Sequence, residues 1–146
     1  MAKDPIKVAA ENVAAYNAGD WNRLKAVLTA NSVYTEMGTQ RRFRGVGRIV
    51  EAYQTWKQAL PDGKGTITNS LARGNTVVLE VIWRGTHTGP LVGPAGAIPP
   101  SHKRISVPAA QVITVQDGKI RQFRQYFDLL TLLQEIGAAP QPKAEA

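Results

Sequence analysis

The sequence predicts a single domain of the α+β class, in which helices are segregated from a mostly antiparallel sheet. Three observations support this prediction. The chain has 146 residues, which suits one domain and suffices to bury a full core without metals or disulfides. Before Leu60, apolar residues recur mostly at helical spacing, and from Thr66 onward they alternate with a period of two.

The helices are predicted from their capping residues and their apolar spacing. Asp4 and Pro5 form an N-cap and a first-turn proline, and Asp20 and Asp128 are also placed as N-caps. The predicted helices run from Pro5 to a stop at Gly19, from Asp20 to about Leu28, from about Val46 to Leu60, and from Asp128 to Ile136 before Gly137. Residues 138–146 are predicted to form a disordered tail.

Alternation of apolar and polar residues predicts the strands. They are Ser32–Met37, Thr66–Ala72, Thr76–Thr86, Arg104–Val115 and Lys119–Phe127. Phe43 is placed in a basic connection without regular structure. The segment His87–Ser101 holds most of the glycine and proline and is predicted to be a long loop.

The turn before the last strand decides which side chains share a sheet face. A two-residue Asp117–Gly118 loop would place Gln111 on the face of Gln122 and Arg124. A three-residue loop with a left-handed Gly118 groups Gln111 with Gln125 and the apolar residues around it. We adopt the second loop because it gathers the apolar side chains. Gln111 and Gln125 are therefore predicted to lie on one buried face, in neighbouring strands.

The composition excludes several kinds of chemistry. The chain has no cysteine and only two histidines, which excludes disulfides, thiolate zinc sites and a cysteine nucleophile and leaves little for any other metal site. It has no glycine-rich phosphate loop, and we expect no cofactor. It also has no signal-peptide pattern and no apolar run of about 20 residues, so we expect a cytoplasmic protein without a membrane partner.

The net charge of +7 raises the question of nucleic-acid binding. The basic cluster Arg41, Arg42, Arg44 and Arg48 is not interleaved with exposed aromatic residues and matches no recognition motif. A solvated basic rim that attracts acidic ligands is therefore favoured over a nucleic-acid partner.

Four motifs occur in order along the chain. They are Asn17–Ala18–Gly19–Asp20–Trp21, Arg84–Gly85–Thr86–His87–Thr88–Gly89–Pro90, Ile98–Pro99–Pro100, and Asp117–Gly118–Lys119–Ile120 followed by Tyr126–Phe127–Asp128. This set resembles the SnoaL-like polyketide-cyclase and ester-cyclase group of the nuclear-transport-factor-2-like superfamily, over roughly Ala9–Gly137. The resemblance implies one domain over residues 1–137, a curved sheet forming a cone around a pocket closed by three N-terminal helices, and a homodimer through the outer sheet face.

The resemblance also implies an acid/base aspartate near the end of the last strand, with a polar or histidine partner on the neighbouring strand. In this chain those positions hold Gln125 and Gln111. Glutamine has no proton to exchange near neutral pH, so the family's usual proton transfer is not inherited. The two amides either bond each other or the backbone, or their N–H groups bind a substrate carbonyl or enolate.

Two further polar residues are candidates for catalysis. Glu36 shares a strand face with Ser32 and Tyr34. If that face lines the cavity, desolvation would make its carboxylate a usable base; otherwise it pairs with a nearby arginine. Tyr16 matches a position where cyclases of the family can place a pocket tyrosine, whose hydroxyl would bond a substrate oxygen; the alternative is a core aromatic.

Substrate contacts are predicted from several aromatic residues and one histidine. The set is Tyr53, Trp56, Trp83, Phe123, Phe127 and His87. Aromatic side chains line pockets for planar ligands and also form plain cores, and His87 could instead shape the strand exit by hydrogen bonding.

Two functions of different classes follow. The first is a cofactor-independent cyclase, isomerase or lyase acting on a hydrophobic, carbonyl-bearing substrate. Gln111 and Gln125 would orient the substrate or stabilise its oxyanion, Tyr16 would donate a hydrogen bond, and Glu36 would be the base. The second is a non-catalytic dimeric module that binds a small apolar ligand, because amides occupy both proton-handling positions.

Overall fold

The computed structural model describes residues 4–93 and 96–140. In chain order the elements are α1 (Pro5–Ala18), α2 (Trp21–Val27), β1 (Leu28–Glu36), β2 (Arg41–Arg44), α3 (Val46–Ala59), β3 (Lys64–Arg73), β4 (Thr76–Thr86), β5 (Leu91–Gly93), β6 (Gly96–Ile98), β7 (Arg104–Gln116), β8 (Lys119–Phe127) and α4 (Leu129–Glu135). Most of the predicted tail, residues 141–146, lies outside the described residues.

Six of these strands form one curved, open sheet in the order β2–β1–β8–β7–β4–β3. Its neighbouring strands are antiparallel except for β1 and β8, which run parallel. The helices α1 and α3 contact the sheet, and the main buried cluster contains apolar residues from both helices and from the sheet strands. The structure thus confirms the predicted α+β class with its curved, mostly antiparallel sheet.

The predicted capping residues begin three of the helices. The side chains of Asp4, Asp20 and Asp128 accept hydrogen bonds from the backbone N–H of Ile6, Arg23 and Thr131. Gly19 ends α1 with a φ of 63°, a left-handed conformation that glycine adopts without a steric cost. These bonds satisfy backbone donors that a helix cannot satisfy internally.

Asn17, in the first of the four motifs, joins α1 to the edge strand β3 by hydrogen bonds. Its Nδ2 donates to the Gly65 carbonyl at 2.9 Å, and its Oδ1 accepts from the Gly65 N–H at 2.8 Å. The side-chain amide thereby pairs with β3 as a neighbouring strand would. This contact sets the position of α1 over the inner face of the sheet.

Three secondary-structure predictions were wrong. Strand β1 begins at Leu28, within the segment assigned to the second helix, and ends at Glu36. The basic connection around Phe43 is strand β2, an edge strand that pairs with β1. The predicted loop His87–Ser101 contains the antiparallel strand pair β5 and β6. Strands as short as β2, β5 and β6 depend on pairing with a partner strand, so local sequence indicates them poorly.

The predicted turn between β7 and β8 was also wrong, although the faces it implied are correct. The loop has two residues, Asp117 and Gly118, both with positive φ as a type I′ turn requires. The register instead shifts beyond the turn, where Thr114 pairs with Gln122 and leaves Arg121 as an extra residue. This bulge restores the phase, so Gln111 pairs with Gln125.

The outer face of the sheet carries apolar side chains that are only half-buried, among them Val78, Ile82 and Val112. A homodimer through this face stays a prediction. Within the described ranges no helix is long and apolar enough to cross a membrane.

Candidate functional site

The helices and the inner face of the sheet enclose a cavity. The volume open to the centre of a water molecule is about 70 Å³, several times the roughly 10–15 Å³ that one water needs. The lining residues are Tyr16, Tyr34, Tyr53, Trp56, Leu60, Gly63, Trp83, Arg84, Ile105, Val107, Gln111, Gln125, Phe127 and Leu132. The interior is therefore hollow at the place where the two glutamines meet.

Buried and half-buried polar side chains form a continuous hydrogen-bond chain along one wall of this cavity. The Tyr53 hydroxyl donates to Asn12 Oδ1 at 2.7 Å, and Asn12 Nδ2 donates to Gln111 Oε1 at 3.2 Å. Gln111 Nε2 then donates to Gln125 Oε1 at 2.9 Å, and Gln125 Nε2 donates to the Tyr34 hydroxyl at 3.0 Å. We call these five residues the amide chain.

Two further partners, which contact Asn12 and Gln125, determine which way the side-chain amides of the amide chain are oriented. Asn12 Nδ2 also donates to the backbone carbonyl of Ala9 at 2.6 Å, which only a donor can do. Gln125 Oε1 also accepts from Trp83 Nε1 at 2.9 Å, which only an acceptor can do. Each amide therefore presents its oxygen toward Tyr53 and its nitrogen toward Tyr34.

This direction leaves hydrogen-bond donors available to a molecule in the cavity. The nitrogens of Gln111 and Gln125 each carry two hydrogens, and the described residues accept only one from each. The Tyr16 hydroxyl makes no hydrogen bond to any described residue. Burial raises the pKa of Tyr16 and, more strongly, those of Tyr34 and Tyr53, so these phenols keep their protons at neutral pH.

The cavity lining contains no carboxylate and no imidazole among the described residues. Its ionisable members are the three tyrosines and Arg84. Across the described ranges, no group of three or more His, Asp or Glu side chains is placed to hold a metal ion. Neutral donors, rather than titrating groups, therefore dominate the polar part of the wall.

Glu36 lies just behind the cavity wall and is fully buried. Its Oε1 accepts from Thr39 and from the Arg41 guanidinium at 2.8 Å, which forms a salt bridge. Its Oε2 accepts from Trp56 Nε1 at 2.8 Å and from the Tyr34 hydroxyl at 3.4 Å. Both oxygens are occupied, which favours the arginine-paired interpretation of this residue over that of a base.

The predicted substrate-contacting residues divide into two groups. Tyr53, Trp56, Trp83 and Phe127 line the cavity, as does Tyr16. Phe123 does not line it; its ring is buried and stacks on Tyr34, with ring centroids 4.5 Å apart. Tyr34, its partner across the parallel strands β1 and β8, lines the cavity instead.

His87 also lies outside the cavity lining, and it is buried. Its Nδ1 accepts from the backbone N–H of Ser101 at 3.1 Å and contacts the Ser101 hydroxyl at 2.9 Å. These bonds join the two ends of the segment 87–101. Burial, with a smaller contribution from His102, lowers the pKa of His87, so its imidazole is neutral at pH 7.

Sequence reasoning missed Asn12 and Tyr34 as members of the site. Asn12 lies three residues after Ala9 and four before Tyr16, on the apolar face of α1. A polar residue on such a face needs a buried partner, and this spacing could have identified it. Tyr34 carried no comparable signal, because a tyrosine on an apolar strand face is common in cores.

Gly65 allows Trp83 to reach the amide chain. A Cβ at Gly65 would lie 2.6 Å from the indole of Trp83, which pairs with it across β3 and β4. We expect Gly65→Ala to lower the free energy of unfolding by about 1–3 kcal/mol, because the indole must move from a well-packed position. Chemical denaturation followed by tryptophan fluorescence measures this change.

Gly47→Ala is the matched control, because a Cβ there meets nothing within 4 Å. Gly47 lies in α3, where alanine favours the helix by roughly 0.5–1 kcal/mol. Equal effects of the two substitutions would contradict the role given to Gly65.

The fold and its cavity together define a class of protein, an α+β domain in which an open, curved sheet and its helices surround a cavity. The SnoaL-like polyketide cyclase family model matches residues 6–136. The chain belongs to the SnoaL-like polyketide cyclase family, as its motifs predicted.

Solved structures agree with this assignment of the fold. A protein of Jannaschia sp. CCS1, assigned as a SnoaL-like polyketide cyclase, is 20% identical with a TM-score of 0.81, covering 96% of this chain and 99% of its own. IdmH of Streptomyces antibioticus, assigned as a polyketide cyclase, is 22% identical with a TM-score of 0.80, covering 92% and 99%. TsrD of Streptomyces laurentii is 27% identical with a TM-score of 0.77, covering 91% and 94%. A comparison with curated proteins gave no match.

Proposed function

We propose that this protein is a cofactor-independent enzyme of the cyclase or isomerase type that acts on a hydrophobic, carbonyl-bearing substrate. One observation carries the proposal. Two amide nitrogens, from Gln111 and Gln125, each offer a hydrogen in a cavity lined mainly by aromatic and aliphatic side chains. Membership of the SnoaL-like polyketide cyclase family supports this class of reaction.

In the proposed reaction the substrate carbonyl oxygen accepts hydrogen bonds from the two glutamine amides. Negative charge grows on this oxygen when a neighbouring carbon loses its proton to form an enolate. Donors held in advance stabilise that charge without reorganising, and their effect is greater where water is excluded. The Tyr16 hydroxyl supplies a further donor on the cavity wall.

The amide chain holds these donors in place. Gln125 is oriented by three neighbours, namely Gln111, Trp83 and Tyr34. Tyr34 in turn bonds to Glu36, which also holds Trp56. Glu36 therefore acts as a support of the cavity wall in this proposal. The described lining holds no carboxylate or imidazole, so a basic group of the substrate itself takes the proton.

Truncating either donor provides the test. On a panel of activated ketones, we expect Gln111→Leu and Gln125→Leu each to lower kcat by roughly 10²–10³-fold, the usual effect of losing one oxyanion donor. Gln122→Leu is the control, since Gln122 lies on β8 three residues before Gln125, so its side chain is on the opposite face of the sheet and outside the cavity lining. We expect it to keep wild-type turnover.

A non-catalytic binding module is the second candidate, and the lack of a carboxylate or imidazole in the described lining favours it. It predicts saturable binding of apolar carbonyl compounds with no turnover by the wild-type protein. A rate above the uncatalysed background that both leucine substitutions abolish would exclude it. A wild-type rate at background would instead contradict the enzyme proposal.

A further inference from the structure

We infer that the cavity takes its ligand as an anion, a planar delocalised oxyanion of the enolate or phenolate kind that is already ionised in solution. This inference rests on the proposed function for the position of the ligand oxygen, at the amides of Gln111 and Gln125. It differs from the proposed reaction in where the charge arises, because a ligand that arrives as its conjugate base does not have to lose a proton in the cavity.

The free hydrogen-bonding groups of the wall are mainly donors. Gln111, Gln125 and Tyr16 each have one hydrogen that no described residue accepts. The amide oxygens of the chain are already engaged: Asn12 and Gln111 each accept one bond, and Gln125 Oε1 accepts two. This wall therefore satisfies an oxygen that only accepts hydrogen bonds better than it satisfies a hydroxyl, which also needs an acceptor for its own hydrogen.

The wall also lacks a group that would remove a proton from a neutral acid. The lining holds no carboxylate or imidazole within the described ranges, and Glu36 behind it has both oxygens occupied. A neutral enol or phenol would bring a proton with no base to receive it. Its conjugate base brings none, and hydrogen bonds to a charged acceptor are about twice as strong as neutral ones.

The charged groups around the cavity favour a negative ligand. On one side, the carboxylate of Glu36 on β1 is balanced by Arg41 on β2. On the other side, Lys57 of α3 lies with its Nζ 4.6 Å from the centroid of the Tyr16 ring, and Arg84 of β4 is in the lining. Asp62, which follows α3, opposes them but is engaged by Thr86.

Two of the nearby groups titrate differently from their free forms. Burial and the charge of Lys64 lower the pKa of Lys57. Hydrogen bonds that Thr86 donates to the Asp62 carboxylate lower the pKa of Asp62. Any protein group that controlled binding would impose its own pH dependence on every ligand. The inference instead requires a pH dependence that changes with the ligand.

Binding of para-substituted phenols of matched size and different acidity tests this distinction. Their dissociation constants would be measured by tryptophan fluorescence between pH 5 and 10, with the matching methyl ethers as neutral controls. We expect the ionised phenol to bind about tenfold more tightly than the neutral one, with a midpoint that follows each ligand's own pKa. A 1,3-diketone in the same assay distinguishes an enolate from a phenolate.

A nitrophenol provides a readout that needs no variant. Below the pKa of the free ligand, the bound ligand should still show the absorbance of its phenolate form. Gln111→Leu should weaken the preference for the ionised form, and Gln122→Leu should leave it unchanged.

One shared midpoint for all ligands, equal affinity for phenols and their methyl ethers, or no binding across the series would each overturn the inference. These results are independent of turnover. A protein that binds phenolates but converts no ketone refutes only the proposed reaction, and one that converts ketones without preferring phenolates refutes only this inference.

Discussion

Phe123→Ala is expected to lower the free energy of unfolding by about 3–5 kcal/mol. The Phe123 ring is only 1% exposed, and it stacks on Tyr34 and meets Tyr53 edge-on. Its removal leaves a void behind the cavity wall that the surrounding sheet cannot close. Urea denaturation measures the loss, and a second effect should appear as weaker ligand binding, because Tyr34 loses its support.

Tyr126→Ala is the matched control on the same strand. Tyr126 is 42% exposed, so its loss should change stability by no more than roughly 0.5–1 kcal/mol. If Phe123→Ala destabilised the protein no more than Tyr126→Ala does, the ring would not have the packing role assigned to it.

Glu36→Leu is expected to destabilise the protein by about 3–5 kcal/mol, the usual effect of removing one partner of a buried ion pair. The Arg41 side chain is 28% exposed and can partly regain water, so the lower part of this range is expected. Trp56 Nε1 and the Tyr34 hydroxyl lose their acceptor at the same time. Chemical denaturation at neutral pH measures the change.

Glu51→Leu provides the comparison, because Glu51 is an exposed residue of α3. Such surface substitutions usually change stability by less than about 0.5 kcal/mol. The double variant Glu36→Leu, Arg41→Leu should recover part of the lost stability, since it also removes the Arg41 guanidinium that the single variant leaves without its carboxylate partner. Additive losses in the double variant would show that the two side chains do not act as a pair.

Much of the fold could be predicted because its signals are local. Aspartate caps at Asp4, Asp20 and Asp128 mark helix starts wherever the chain places them. The strands β4 and β8 were predicted at their observed bounds, since long alternating runs carry a strong period. The short edge strand β2 was not predicted, because its four residues are stabilised by pairing with β1 and show no clear apolar alternation of their own.

The site was only partly predictable, because its geometry depends on pairs far apart in the chain. The amides of Gln111 and Gln125 were placed together by register, which follows from apolar patterning on one face. The environment of Glu36 could not be read in the same way. Its partners come from the following turn, from β2 and from α3, and a strand pattern does not encode their distances.

The sequence by itself determined the class of fold, the family and the meeting of two glutamines where the family's proton-handling pair is expected. These features rest on periodicity, caps and ordered motifs, which act over a few residues. Only the tertiary structure decided that Asn12, 99 positions from Gln111, completes the amide chain and that Glu36 supports the wall instead of facing the cavity. The curvature of the sheet sets both, because it determines which side chains from distant strands and helices come within hydrogen-bonding distance.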